Sequence, residues 1–330
     1  MNAGANSVSF PRSAVLVAAV LTAVGAGAFV LALLNGAAPR AWQIYLVNYL
    51  FWTSLAVGGV VLAAVWQLSS AIWGKAFQGL AVAGAGFLPV SLLLFLPLTL
   101  AGESLFPWIR EPEPHLVTWM SAGFVFTRNG LALAVLFAVA VAFVYYRLRQ
   151  SGAVPVAGGE YEQQEAGRRA CVLAPVLCLV YVLVFSLLAF DLVQALDPHF
   201  YSTLFGGYFF FGGLYAALAW VAVLAAWLYR AGPARGALTP GFLHPMGKLL
   251  FGFALFHGML YFSQYLPIWY GNLPHEIEFV IIRSREGFWP VVSAASMIFC
   301  LFLPFTILLS RAVKENPFTL AGVAVIVLVG

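Results

Sequence analysis

The chain has 330 residues, of which 63% are hydrophobic and only 8% are charged. Soluble globular domains carry roughly 25% charged residues, so this composition excludes an ordinary water-facing surface. We therefore predict an all-α, polytopic transmembrane protein, and we attribute its net charge of +4 to uneven loop charges rather than to a nucleic-acid partner.

Eight apolar runs are long enough to cross a bilayer, which takes about 20 helical residues. They lie near residues 13–36, 42–67, 77–101, 122–146, 171–191, 206–230, 246–270 and 289–310. The first run follows Arg12 and precedes the small residues Gly36, Ala37 and Ala38, a pattern that also fits a signal peptide. Its apolar core exceeds the roughly 7–15 residues of a signal peptide, so we predict a retained helix.

A ninth apolar run begins near Leu320 and reaches Gly330 after 11 residues. At a rise of about 1.5 Å per residue this run is too short to cross the hydrocarbon layer. We expect residues 311–330 to be the start of a further span that is cut short here.

Polar connectors suggest how the spans are grouped. The longest connector runs from Arg147 to Arg169, and it is too short to bury a core of its own. We expect a first bundle of four spans at residues 1–150, a cytoplasmic linker at 151–170 and a second bundle of four spans at 171–310. The architecture is then two four-helix bundles plus a terminal helix pair.

The distribution of Lys and Arg predicts the orientation, because loops rich in these residues stay in the cytoplasm. Eleven of them fall on the side of the N-terminus and four on the other side. The eleven are Arg12, Lys75, Arg147, Arg149, Arg168, Arg169, Arg230, Arg235, Lys248, Arg311 and Lys314, and the four are Arg40, Arg110, Arg283 and Arg285. We therefore predict a cytoplasmic N-terminus.

Two connectors on the predicted outer side have an unusual composition. Residues 103–115 and 271–286 mix acidic residues, prolines and aromatic residues. Such a mixture suits a surface that docks a partner, although Trp and Tyr also mark the lipid interface. Both interpretations remain open from the sequence.

Cysteine and histidine spacing gives no sign of a redox centre. Cys171, Cys178 and Cys300 form no C-x-x-C pair and no haem-attachment motif. Of the five histidines only His257 lies well inside a span, so two histidines cannot hold a haem between helices. We predict that this chain binds no metal and no cofactor, and that its cysteines are small packing residues.

Arg128 is a charged residue inside the fourth span, about two turns below the outer surface. A charge at the bilayer centre costs at least about 2.5–3.5 kcal/mol, so Arg128 needs either an ion-pair partner or a path for its side chain to the membrane interface. Asp191, at the outer end of the fifth span, is the nearest carboxylate by depth. The sequence leaves open a structural ion pair, an arginine that extends to the interface, or part of a proton or quinone-headgroup path.

The seventh span carries a polar stripe. Offsets of four and seven residues place His257, Tyr261 and Gln264 on one helical face. This stripe predicts either a hydrated seam toward the outer surface or polar side chains that join helices. Lys248, at the inner end of the same helix, is either the start of such a seam or an interfacial cation.

The segment between the fifth and sixth spans contains an apparent helix start. In Asp197-Pro198 the carboxylate can cap backbone N–H groups and the proline fits the first turn. The 33 residues from Pro198 to Arg230 would make a helix of about 49 Å, which exceeds the hydrocarbon thickness. We therefore predict a short interfacial helix near 198–206, with His199 and Asp191 exchanging protons at the water boundary.

Several motifs resemble those of a known family. These are Asp191-Leu-Val, Leu196-Asp-Pro-His-Phe-Tyr-Ser-Thr-Leu-Phe-Gly followed by Gly207-Tyr-Phe-Phe, Gly247-Lys-Leu-Leu-Phe-Gly-Phe and Tyr261-Phe-Ser-Gln-Tyr-Leu-Pro-Ile-Trp-Tyr-Gly-Asn-Leu-Pro. They are similar to motifs of the shorter NrfD-type, polysulfide-reductase-like membrane subunit of bacterial alternative complex III. The resemblance extends from about Trp42 to the end of the chain.

The resemblance implies a set of partners and a role. Alternative complex III is a quinol:cytochrome c oxidoreductase that pairs two NrfD-type subunits of ten helices with an iron–sulfur subunit and haem c subunits. In that family the shorter subunit has no firmly assigned quinone pocket, and its polar residues are proposed to line proton half-channels. Asn129 departs from the family pattern, because an acidic residue is expected beside the intramembrane arginine.

We therefore expect an integral subunit of a quinol oxidoreductase complex in the bacterial cytoplasmic membrane, which anchors its partners and contributes to proton translocation. The candidate proton-path residues are Lys248 at the inner end, His257, Tyr261 and Gln264 in the middle, and Arg128, Asp191, Asp197 and His199 at the outer end. In an alternative interpretation the chain is itself the quinol-binding anchor of a polysulfide-reductase-type enzyme, through His199 with Asp191 or Asp197. An independent transporter and a purely structural anchor are further alternatives.

Overall fold

The computed structural model describes residues 12–110, 118–154, 159–197, 200–232, 236 and 238–330, and within them the regular structure is entirely helical. In chain order the α-helices are α1 (Arg12–Leu34), α2 (Ala38–Leu68), α3 (Gln78–Val82), α4 (Leu88–Phe95), α5 (Pro107–Arg110), α6 (Ala122–Gln150), α7 (Gly159–Leu188), α8 (Phe205–Ala231), α9 (Pro240–Gly271), α10 (Pro274–Arg285), α11 (Trp289–Met297), α12 (Leu303–Leu308), α13 (Arg311–Glu315) and α14 (Pro317–Val329). The remaining helical turns are 3₁₀ segments at Trp73–Ala76, Ala83–Phe87, Leu96–Leu100, Gly102–Ser104 and Gln194–Leu196, and π-helical turns at Ala189–Val193 and Ile298–Phe302.

Each of the eight predicted spans corresponds to a helix that is long and apolar enough to cross a membrane. These spans are Val15–Leu34, Ala38–Leu68, Gln78–Leu100, Ala122–Gln150, Gly159–Leu196, Phe205–Ala231, Pro240–Gly271 and Trp289–Leu308. Helices suit a bilayer because they satisfy their backbone hydrogen bonds internally. The protein is therefore a multi-pass membrane protein.

The helix α2 lies at the centre of the structure. In its most apolar window 83% of the residues are buried, and it packs against α6, α7 and α8. The predicted bundles at 1–150 and 171–310 therefore share one apolar core, and their NrfD-like grouping stays a prediction. By contrast α1 buries none of its apolar window and makes its main contact with α2.

The third span is broken where a continuous helix was expected at residues 77–101. A 3₁₀ segment at Ala83–Phe87 separates α3 from α4. This segment packs closely on the backbone of α2, because a Cβ atom at Gly84 would lie 2.7 Å from the carbonyl oxygen of Ala56. Glycine therefore brings the broken segment against the central helix.

The expected linker at 151–170 is shorter in the structure, because α7 already begins at Gly159. Glu160 and Glu162 lie in its first turn, where acidic side chains stabilise the N-terminal end of a helix. Residues 155–158 of the expected linker lie outside the described residues.

The expected start of a further span at 311–330 forms two helices, α13 and α14. The apolar α14 packs along α8, and its residues Leu320, Val323, Ala324 and Val327 are buried. The fold therefore extends the second half beyond the eighth span.

We call the side on which α2 ends and α9 begins the basic side, and the other the opposite side. Two expectations on the opposite side need correction. The interfacial helix predicted near 198–206 is absent over the described residues 200–204, and α8 begins only at Phe205. The connector 271–286 instead contains the helix α10, since Pro274 occupies its first turn.

The crossing of α2 and α8 gives a test of this packing. A Cβ atom at Gly213 would lie 2.9 Å from the Tyr181 hydroxyl oxygen and 3.3 Å from Ser54 Cβ. We expect Gly213→Ala to lower the free energy of unfolding by about 1–3 kcal/mol, the usual cost of overpacking. At Gly207 on the same helix the nearest atom is 3.7 Å away, so Gly207→Ala is the matched control. Thermal unfolding in detergent measures both, and equal stability of the two variants would contradict the packing.

Candidate functional site

An ion pair between α6 and the end of the fifth span is the main buried charge contact on the opposite side. Arg128 Nε donates to Asp191 Oδ2 at 2.9 Å and its Nη2 donates to Asp191 Oδ1 at 2.6 Å. Only 10% of the Arg128 side chain and 4% of the Asp191 side chain are exposed. The sequence placed these residues at one depth, and the structure joins them in a bidentate pair.

Asn129 completes the contacts of this pair. Its Nδ2 donates to Asp191 Oδ2 at 2.6 Å and to the Val125 carbonyl oxygen at 2.8 Å. The carboxylate therefore accepts three hydrogen bonds from two side chains. At the position where the resemblance leads us to expect an acidic residue, this chain has a hydrogen-bond donor that fixes Asp191 as an acceptor.

Local backbone and aromatic rings position the two charges. Asp191 lies in the π-helical turn Ala189–Val193, a feature that often marks functional sites in helices. The Arg128 guanidinium also donates to the Trp119 carbonyl oxygen at 2.6 Å and lies 4.2 Å from the Trp119 ring centroid. The pair is therefore closed by partners on every side that the structure describes.

His257 lies in a second polar cluster between α8 and α9. Its ring stacks on Tyr208 with centroids 4.6 Å apart and lies 5.7 Å from the Tyr215 ring. Space for the imidazole depends on Gly212, where a Cβ atom would lie 3.4 Å from His257 Cε1. The Nδ1 atom of His257 is buried and has no hydrogen-bond partner among the described protein atoms.

The neighbouring tyrosine hydroxyls bond to backbone rather than to His257. Tyr215 Oη donates to the Cys300 carbonyl oxygen at 3.0 Å, within the π-helical turn Ile298–Phe302. Tyr181 Oη donates to the Phe210 carbonyl oxygen at 2.7 Å. The hydroxyls therefore join helices, and the imidazole nitrogen stays available for a small partner such as water.

The stripe on α9 continues from His257 toward the opposite side. The Tyr261 ring lies 6.4 Å from the Tyr208 ring. One turn further, Gln264 Oε1 accepts a hydrogen bond from Ser202 Oγ at 2.9 Å. The stripe thus ends at a contact with the segment that joins the fifth and sixth spans.

At this end of the stripe the structure has a cavity of about 470 Å³. Its lining combines amides, hydroxyls and apolar side chains, namely Phe190, Gln194, Tyr201, Ser202, Thr203, Leu204, Ser263, Gln264, Pro267 and Ile268. None of these side chains is charged at neutral pH, and the Gln194 Oε1 atom has no hydrogen-bond partner among the described atoms. The cavity therefore suits water and uncharged hydrogen-bonding groups.

Lys248 lies apart from the stripe. It is exposed near the basic end of α9, and nine residues at about 100° each place it on the helix face opposite His257. The face that continues from His257 toward the basic side carries Ala254, Leu250 and Met246, all buried. On α9 the polar stripe therefore has an apolar continuation.

Charged residues of the basic side form a surface group around α13. Arg311 Nε donates to Glu315 Oε1 at 2.6 Å, and this hydrogen bond lowers the pKa of the Glu315 carboxyl. His244 Nδ1 lies 3.9 Å from the same oxygen. The Lys314 side chain packs on Gly247, where a Cβ atom would lie 2.6 Å from its Cγ. These contacts tie α13 to the first turns of α9.

The helix that Asp197 was predicted to cap is absent over the described residues 200–204. Asp197 follows the 3₁₀ turn Gln194–Leu196 in an extended conformation, and its carbonyl oxygen accepts from Phe200 N at 3.2 Å. Its carboxylate interacts electrostatically with the Arg283 guanidinium. His199 lies outside the described residues.

Sequence reasoning missed three residues of this region: Gln194, Ser202 and Arg283. The first two carry uncharged side chains in a region with no periodic pattern, so no local signal distinguished them. Arg283 follows Phe279 by four residues, a spacing typical of side chains that meet on one helix face. This spacing favours a helix, whereas the mixed composition of residues 271–286 favours a connector.

Comparison of the chain with protein-family models and with curated proteins gave no significant match. In the part of the chain that the structure describes, no group of three or more His, Cys, Asp or Glu side chains is arranged to hold a metal ion.

The buried ion pair predicts a strong asymmetry between single and double substitutions. Arg128→Met leaves a buried carboxylate without its cation, so we expect a loss of about 3–5 kcal/mol in the free energy of unfolding. The double variant Arg128→Met with Asp191→Leu removes both charges and loses less than the single variant. Denaturation of the purified protein in detergent measures these differences.

The control is Arg311→Met, which breaks the exposed Arg311–Glu315 pair and leaves stability unchanged. If the double variant is no more stable than Arg128→Met, the destabilisation does not come from an unpaired Asp191 carboxylate, and the proposed role of the ion pair is contradicted.

Proposed function

We propose that the chain is an integral membrane subunit of a quinol:cytochrome c, or other acceptor, oxidoreductase complex in the bacterial cytoplasmic membrane. In this proposal the N-terminus and the basic side are cytoplasmic, and the opposite side faces outward. The subunit carries no redox centre, anchors its partners and contributes a proton half-channel on the outer side. The sequence resemblance to the shorter NrfD-type subunit supports the type of complex.

The observation that carries the proton role is the uneven distribution of buried polar groups. The stripe from His257 to Gln264 reaches the cavity on the opposite side. Toward the basic side the same face of α9 is apolar, and α2 presents only apolar residues and glycine from Val57 to Ala64. An imidazole with a buried Nδ1 atom, on a helix face that is polar toward one side and apolar toward the other, suits proton exchange with the polar side.

The distance from His257 to the cavity suits this exchange. Imidazole is the side chain whose ordinary pKa lies closest to physiological pH, so small changes of environment alter its protonation. The seven residues from His257 to Gln264 span about 10 Å along the helix, a distance that a few water molecules bridge. Tyr261 supplies a hydroxyl between them.

The Arg128–Asp191 pair fits an anchoring role better than a relay. Three hydrogen bonds occupy the Asp191 carboxylate oxygens, and both side chains are almost fully buried. Within the proposed complex we assign this pair to holding α6 against the fifth span. Lys248, on the far face of α9, is assigned to the interface and not to the half-channel.

The expected partners are a second NrfD-like subunit, an iron–sulfur subunit and haem c subunits. Soluble redox partners of a quinol oxidase of this type dock on the outer face, where the chain presents α10 and the segment around α5. Aromatic residues there are exposed, including Trp269, Tyr270, Phe288 and Trp289. Exposed aromatic side chains serve both lipid-interface and protein contacts.

A second candidate function is quinol binding by this chain itself, as the anchor of a polysulfide-reductase-type enzyme. The cavity favours it, because quinol hydroxyls can bond to amide groups such as those of Gln194 and Gln264 while its ring contacts Phe190. Asp191, a predicted quinone contact, is committed to Arg128. A photoreactive quinone that labels cavity residues in the purified complex would favour this candidate, and labelling elsewhere would exclude it.

The proton role predicts a defect from His257→Phe, a substitution that keeps an aromatic ring against Tyr208. In the assembled complex we expect a lower ratio of protons released to electrons transferred, because the titratable group is lost while the packing is retained. Acidification by reconstituted vesicles during quinol oxidation measures the ratio.

The matched control is Lys248→Met, on the same helix, which leaves the ratio unchanged. An unchanged ratio in both variants, with normal assembly, would contradict the half-channel. Purification of the native assembly without haem c or iron–sulfur partner chains would contradict the proposed complex itself.

A further inference from the structure

The cavity on the opposite side is closed partly by residues 200–204, which we call the loop wall. Tyr201, Ser202, Thr203 and Leu204 line the cavity from this segment, facing Ser263 and Gln264 on α9. Within the loop wall, Phe205 N donates to the Ser202 carbonyl oxygen at 3.2 Å, but the segment forms no helix. Its position therefore depends on side-chain contacts with neighbouring elements.

One contact holds the loop wall to α9. Ser202 Oγ donates to Gln264 Oε1 at 2.9 Å. The Gln264 amide is fixed only loosely on its other side, where Nε2 donates to the Leu260 carbonyl oxygen at 3.3 Å. A single hydrogen bond between neutral groups is easily exchanged for water.

The other contact holds the loop wall to α10. The rings of Phe200 and Phe279 are stacked with centroids 3.7 Å apart and planes 14° apart, and Phe200 is 5% exposed. The Arg283 guanidinium lies 3.3 Å from the Phe279 ring centroid, and Arg283 Nη1 donates to the Phe279 carbonyl oxygen at 3.1 Å. Asp197 interacts electrostatically with the same guanidinium.

The helix α10 is bounded by residues of special backbone conformation at both ends. Asn272, two residues before its start, has φ of 47°, and Gly287, two residues after its end, has φ of 53°. Such positions are where chain direction changes sharply, and short flanking segments of this kind absorb the rotation of a hinged element. Both ends of α10 therefore have a backbone conformation suited to a hinge.

We propose that α10 is a hinged strap that holds the loop wall beside the cavity, so that rotation about Asn272 and Gly287 widens the mouth of the cavity and exposes its inner wall at Gln194. In the structure Phe200 stacks on Phe279 and Ser202 is hydrogen-bonded to Gln264. Rotation of α10 withdraws Phe279, and the Ser202 hydrogen bond then remains as the side-chain contact of the loop wall with α9. The strap controls access to the cavity for water, protons or a quinol alike. This inference is therefore independent of the proposed function.

The test measures access to a cysteine inside the cavity. Gln194→Cys places a thiol in the cavity wall at a residue outside the strap, in a protein in which Cys171→Ser, Cys178→Ala and Cys300→Ala remove the native thiols. A charged, membrane-impermeant maleimide is added to the full-length protein in vesicles, and the labelling rate is followed by mass spectrometry. Ser263→Cys, an exposed position of the same cavity, is the second reporter.

We expect Phe279→Ala to raise the labelling rate at Gln194→Cys about two- to tenfold, the range that corresponds to the loss of one aromatic pair. The rate at Ser263→Cys stays unchanged, because that residue is exposed in both forms. Phe288→Ala is the matched control, since Phe288 is 71% exposed and lies beyond the hinge residue Gly287.

Two results would overturn the strap. The first is an unchanged rate at Gln194→Cys in Phe279→Ala. The second is an equal increase at Ser263→Cys, which indicates general loosening of the helices instead of the opening of one wall.

Discussion

The structure depends on the cost of leaving a charge unpaired in lipid. The Arg128 guanidinium does not lose its proton in proteins, so its burial requires a fixed anion and enough acceptors for its N–H groups. Asp191 and the Trp119 carbonyl oxygen meet that requirement, and Asn129 adds a third donor to the carboxylate. Because Asp191 lies in a π-helical turn, the pair also fixes where the fifth span ends. The cavity and its loop wall begin at that point.

Packing makes the two halves of the membrane layer different. On the basic half, glycine and alanine bring α2 and α8 so close that a Cβ atom at Gly58 would lie 2.8 Å from Ala217 Cβ. Such contact brings the two helices together at Gly58, and the pocket beside it is lined by apolar side chains and glycine. On the opposite half, polar and aromatic side chains around His257 lie between α8 and α9, and the polar stripe ends at a cavity. The two halves therefore differ in the polarity of the side chains that line their interior.

Hydropathy predicted the spans because the penalty for polar groups in lipid acts on every residue of a run and sums over about 20 positions. Matching residues by their depth in the membrane also predicted the partner of Arg128, since few carboxylates exist in this chain. Predictions from motifs of one or two residues were less successful. Asp197-Pro198 has the composition of a helix start, yet Asp197 is extended and the described residues 200–204, which contact α9 and α10, form no helix. The close packing of the third span on α2 at Gly84 likewise depends on a tertiary contact that no local pattern encodes.

The stripe on α9 shows what helical periodicity can and cannot predict. Spacing of four and seven residues correctly indicates that His257, Tyr261 and Gln264 share a face, but it does not identify what that face meets. In the described structure it meets Tyr208 and Ser202 toward the opposite side and buried apolar residues toward the basic side. In the basic direction the face of α9 that carries His257 continues with the apolar residues Ala254, Leu250 and Met246, whereas Lys248 lies on the opposite face. On this helix the change from polar to apolar neighbours at His257, and not the spacing itself, distinguishes the two ends of the face.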